Sequence, residues 1–81
     1  MKFELYTDMA LTRDIPEARL RRSDVVKLVD HHVSPQGEEG YSVEAFNALG
    51  DTIAVTTVPE SALEPLRADE VLSVRPLMPA S

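Results

Sequence analysis

Apolar and polar residues alternate over residues 3–12, FELYTDMALT. Phe3, Leu5, Thr7, Met9 and Leu11 fall on one face of an extended chain, and Glu4, Tyr6, Asp8 and Ala10 on the other. A period of two predicts a half-buried strand. Residues 24–33, DVVKLVDHHV, predict a second. Val25, Val26, Val29 and Val33 are β-branched, lose side-chain freedom in a helix and pack well on a pleated surface. Residues 41–46, YSVEAF, and 52–58, TIAVTTV, predict two more strands. Between them 47–51, NALGD, predicts a hairpin turn, with Gly50 available for positive φ. A last short strand is predicted over 70–75, EVLSVR.

The connections differ in kind. Residues 13–23, RDIPEARLRRS, read as a long loop in which Pro16 fixes its own φ and keeps Ile15 extended. Ile15 and Leu20 are its apolar anchors, so the loop is expected to fold back onto the core. Residues 34–40, SPQGEEG, are a polar loop. Residues 59–66, PESALEPL, predict one short helical turn, with Pro59 at its first position, Glu60 or Ser61 capping it and Pro65 ending it. Five short strands, no helix long enough for a crossover and one helical turn before the last strand point to an all-β, SH3-like barrel. The expected domain is residues 1–76, with 77–81 a frayed tail carrying Pro79. Val26, Leu28, Val43, Ile53, Val55 and Leu63 are its expected core.

Composition bounds this picture. A chain of 81 residues allows one domain, and a domain of this size buries only about 60–65% of its unfolded surface. With no cysteine, packing and hydrogen bonds alone must hold it, which suits the reducing cytosol, the expected compartment. Glu4 and Asp8 interrupt the first apolar stretch, so no secretory signal is expected there. No stretch approaches the roughly 20 apolar residues of a membrane span. The formal net charge of −6 is unevenly distributed. Residues 1–37 are neutral overall, whereas residues 38–81 set eight acids against Arg67 and Arg75. The loop over 13–22 holds four bases: Arg13, Arg19, Arg21 and Arg22.

Two stretches, residues 10–32 (ALTRDIPEARLRRSDVVKLVDHH) and 40–66 (GYSVEAFNALGDTIAVTTVPESALEPL), resemble the small bacterial family called domain of unknown function 4926. The resemblance covers most of residues 3–75 and implies an SH3-like barrel, with no activity attached. Two departures are informative. Ser23–Asp24 stands where the family tends to have Gly before the Asp; a left-handed residue without glycine costs on the order of 1 kcal/mol. Ala45 stands where a bulkier residue is expected, and leaves an under-packed site if it faces the core.

No constellation carries chemistry. His31 and His32 are adjacent on a strand and point to opposite faces, and Asp30 with His32 supplies only two ligands. No serine sits in a glycine-flanked elbow, and no glycine-rich loop cradles phosphate. The carboxylate pairs Glu38–Glu39 and Asp69–Glu70 read as solvated charge, without the burial that separates pKa values for acid–base work. Single-stranded nucleic acid needs aromatic platforms beside cations. Phe3, Tyr6, Tyr41 and Phe46 are the only aromatics, and the strand pattern assigns them to the core.

By exclusion, the expected function is that of a non-enzymatic protein-binding module, without cofactor or metal, acting as an antitoxin or inhibitor or as an accessory protein. A homodimer through an edge strand also fits. The candidate contact residues are Arg19, Arg21 and Arg22 on the loop and Glu38 and Glu39 on the acidic half. The alternative is RNA or DNA binding by the Arg-rich loop, against which the net charge weighs.

Overall fold

In the computed structural model, residues 2–77 are described. Five strands form one antiparallel sheet: β1 (Asp8–Leu11), β2 (Val25–Val33), β3 (Glu39–Phe46), β4 (Thr52–Pro59) and β5 (Leu63–Pro65). Their order is β4-β3-β2-β1-β5. A 3-10 turn over Glu60–Ala62 joins the two outermost strands, β4 and β5. This order, with that turn before the last strand, is the all-β arrangement of an SH3-like barrel.

The β2–β3 hairpin is the frame. Leu28 pairs with Val43 and both are fully buried, as is Tyr41. A register shift between Leu28 and Asp30 marks a bulge, which bends β2 and lets one nine-residue strand pair with β1 at its start and β3 along its length. The β3–β4 hairpin turns where the sequence predicts. The Asn47 amide donates to the Asp51 carbonyl at 2.8 Å, the Asn47 side-chain oxygen accepts from the Leu49 and Asp51 amides, and Gly50 takes φ 90°. The loop after β1 also behaves as expected. Ile15 and Leu20 bridge to each other and enter the core, with a 3-10 turn over Pro16–Ala18 between them.

Three expectations are corrected. The first strand starts at Asp8 rather than at residue 3, because Tyr6 adopts φ 65° and breaks the extended run. Phe3 and Leu5 still pack against the core, and Tyr41 holds this segment by accepting a hydrogen bond from the Phe3 amide at 3.1 Å. Second, β4 is turned over. Ile53 is 39% and Val55 63% exposed, while Val58 is buried and Ala54 packs against the core. In TIAVTTV both faces are uncharged, so alternation cannot choose between them. The register against β3, with Ala54 opposite Ala45 and Val58 opposite Tyr41, puts the even-numbered face inward.

Third, the closing strand is Leu63–Pro65, paired with β1 through Leu11–Leu63 and Met9–Pro65, and residues 70–75 form no strand. The helical turn is shorter than predicted. Pro59 ends β4, no side chain caps the turn, and the chain returns to an extended path at Leu63, which is buried. Pro65 has no amide to continue the ladder, and a turn in which Arg67 and Glu70 exchange backbone and side-chain hydrogen bonds redirects the chain. Val71, Leu72 and Val74 have strand propensity but no sheet partner. Of the predicted tail, 78–81 lie outside the described residues.

The two notable positions are resolved. Ser23 takes φ 77°, the left-handed conformation that glycine adopts without cost. Ala45 is buried and faces the core. Ser23→Gly is therefore expected to raise stability by about 1 kcal/mol in urea unfolding. In the same assay Leu28→Ala is expected to cost about 2–4 kcal/mol, and Ile53→Ala under about 1 kcal/mol because its side chain is already partly in water.

Candidate functional site

The residues predicted to make contacts lie at opposite ends of β2. Arg19, Arg21 and Arg22 precede its first residue, Val25, and Glu38 and Glu39 follow its last, Val33. At about 3.3 Å per residue the two groups stand roughly 26 Å apart, so they do not form one site.

At the acidic end, Glu38 is exposed and its amide is tied to the Ser34 hydroxyl at 3.0 Å. Glu39 begins β3 and accepts a hydrogen bond from His31 Nε2. The His31 ring packs on Tyr41, with ring centroids 5.1 Å apart. His32, exposed on the other face, shares a hydrogen bond with the Ser42 hydroxyl at 2.6 Å. Glu39 thus serves the fold as a partner for His31, and the two imidazoles are separated as the strand period requires. Among the described residues no three of His, Asp and Glu gather closely enough to hold a metal ion.

The other end holds an open cleft of about 850 Å³. One wall is the body of the barrel: Ala10, Leu20, Ala45, Phe46 and Ile53. The other is the segment after β5, through Val71, Leu72, Val74 and Leu77. This segment is an arm rather than part of the sheet. Val71 is 89%, Leu72 70% and Val74 91% exposed. Among the described residues, the only backbone–backbone hydrogen bond of 66–77 is the Glu70 amide bonding back to Arg67. Ala45, buried in the core, also borders this cleft.

One ion pair anchors the arm. The Arg75 guanidinium donates to both oxygens of Asp24, at 3.1 Å from Nε and more closely from Nη2, and to the Arg19 carbonyl at 3.4 Å. The Asp24 hydrogen bonds raise the Arg75 pKa above its ordinary value. Asp24 also accepts from the Arg21 amide at 2.7 Å, so one carboxylate holds both the end of the loop and the arm. Farther along, Arg67 pairs with Asp69 at 2.5 Å, which lowers the Asp69 pKa.

Arg21 and Arg22 line the cleft and are exposed. Their side chains make no ion pair among the described residues. Arg19 contributes through its backbone, in the left-handed conformation that ends the Pro16–Ala18 turn. Sequence reasoning missed the arm because residues 70–75 read as a last short strand, and missed Phe46 because the strand pattern placed it in the core. Phe46 and Tyr6 are in fact exposed, so two of the four aromatics are not core residues.

The family model described as Domain of unknown function (DUF4926) matches residues 5–65. Neither the curated proteins nor the solved structures contain a match. The matched region ends at Pro65, where β5 ends and the arm begins.

Asp24 and Arg75 can be separated by mutation. Arg75→Ala is expected to free residues 68–77, read as a fall in their 15N heteronuclear NOE, while lowering stability by about 1 kcal/mol or less. Asp24→Ala removes the loop contact as well and is expected to cost about 1–3 kcal/mol.

Proposed function

The chain belongs to the family Domain of unknown function (DUF4926), and we propose, from its exposed surface, that it is a non-enzymatic protein-binding module whose contact surface is the cleft and the arm. The observation that carries this reading is the exposure of Val71, Leu72 and Val74 beside Phe46, Ile53 and Leu66. Scattered exposed apolar residues are ordinary, but a contiguous group beside an open cleft is a surface that stays in water at a cost and gains when a partner covers it. Among the described residues, the backbone of 71–75 makes no backbone–backbone hydrogen bond, and its donors and acceptors suit an extended partner segment.

The sharper form of the proposal is an inhibitor or antitoxin; the broader form is an accessory subunit. Both use the same surface. The compartment is the cytosol, in keeping with a chain free of cysteine. Among the described residues no helix is long and apolar enough to cross a membrane.

Affinity capture from native lysate with mass spectrometry tests the reading. The expected result is one polypeptide retained in near-stoichiometric amount by the parent chain. It is lost from the variant carrying Val71→Ser, Leu72→Ser and Val74→Ser, and kept by the variant carrying Glu38→Lys and Glu39→Lys. For the inhibitor form, adding the chain to the purified partner lowers that partner's activity. Micromolar binding to RNA or DNA at physiological salt, abolished by Arg21→Glu and Arg22→Glu, would overturn the proposal in favour of nucleic-acid binding. Phe46 would then stack a base beside those arginines.

A further inference from the structure

We infer that the cleft takes an extended apolar segment of its partner flanked by carboxylates, with the arm lying along that segment and Arg21 and Arg22 receiving the acidic flank. The inference rests on the protein-binding reading and adds the chemistry of the occupant.

The walls set the apolar part. Ala45, Phe46 and Ile53 on one side and Val71, Leu72 and Val74 on the other border the open cleft, so an extended segment lying in it meets apolar side chains on both sides. Among the described residues, the amides and carbonyls of 71–75 make no backbone–backbone hydrogen bond, and a neighbouring extended chain can use them.

Charge sets the flank. Five charged groups line the cleft: Arg21, Arg22, Asp24, Glu70 and Arg75. Asp24 and Arg75 neutralise each other. Glu70 keeps its negative charge while accepting a hydrogen bond from the Arg67 amide at 2.6 Å, so the lining is left with one net positive charge, carried by Arg21 and Arg22. Arg21 and Arg22 keep exposed guanidinium groups with no carboxylate partner among the described residues. The chain as a whole carries −6, so its distant field favours a basic partner. Within a Debye length of about 8 Å at physiological salt, however, the nearest charges decide, and at this mouth they are cationic. A guanidinium meets a carboxylate through two parallel hydrogen bonds, a geometry that a lysine-flanked segment does not offer.

A displayed library of random 12-residue peptides, selected on the intact chain, tests this. Enriched peptides are expected to carry an apolar centre with Asp or Glu beside it. Their binding is expected to fall about tenfold with Arg22→Glu, to be lost with Val71→Ser, Leu72→Ser and Val74→Ser together, and to be unchanged by Lys2→Glu, the same charge change elsewhere on the surface. Enrichment of basic peptides, indifference to Arg22→Glu, an equal loss with Lys2→Glu, or no enrichment at all would each overturn the inference. The protein-binding reading stands or falls separately, on whether the capture experiment depends on the arm.

Discussion

The pairing of β2 with β3 is the constraint on which the rest depends. Leu28 opposite Val43 fills the centre of a core that a domain of this size can barely afford, and Tyr41 extends it toward the N-terminus. Tyr41 binds the Phe3 amide, packs against His31 and donates to the Glu60 carboxylate at 3.3 Å. One fully buried ring thereby ties the N-terminal segment and the start of the last turn to the frame. The bulge after Leu28 then lets the same strand carry β1 on its other side, and β1 carries β5.

The economy of that core explains where the candidate site lies. Ala45 borders the cleft with a small side chain, Phe46 and Ile53 stay partly in water, and the chain after Pro65 passes alongside without joining the sheet. A single carboxylate, Asp24, joins loop and arm at the mouth of the cleft. Two of the three non-glycine residues with positive φ among the described residues, Arg19 and Ser23, bracket Arg21 and Arg22. Their conformation turns the loop so that these two side chains border the cleft, while the acids of the β2–β3 turn stand at the far end. The family match ends at Pro65, before the arm, so the barrel is the shared element and the arm lies beyond it.

Periodicity and turn chemistry in the sequence alone determined the class of the fold, the β2–β3–β4 meander, the Asn47–Asp51 turn and the anchoring of the long loop by Ile15 and Leu20, whereas Ser23 drew notice only through the family resemblance and its left-handed conformation was decided by the structure. These are local properties: β-branching, alternation and the conformational needs of a turn act over a few residues and leave a direct trace. The cationic half of the candidate site was legible too, as a cluster of arginines. Three further matters were left to the tertiary structure. Which face of β4 points inward depends on register against β3, since both faces of TIAVTTV are uncharged. Which segment closes the sheet depends on which chain reaches the edge of β1. Leu63 does so directly after a short turn, and the more strand-like 70–75 is left outside. That the exposed Val71, Leu72 and Val74 stand beside Phe46, Arg21 and Arg22 depends on the Asp24–Arg75 pair, 51 residues apart in sequence. Contacts at that separation follow from where the folded chain passes, and no local pattern encodes them.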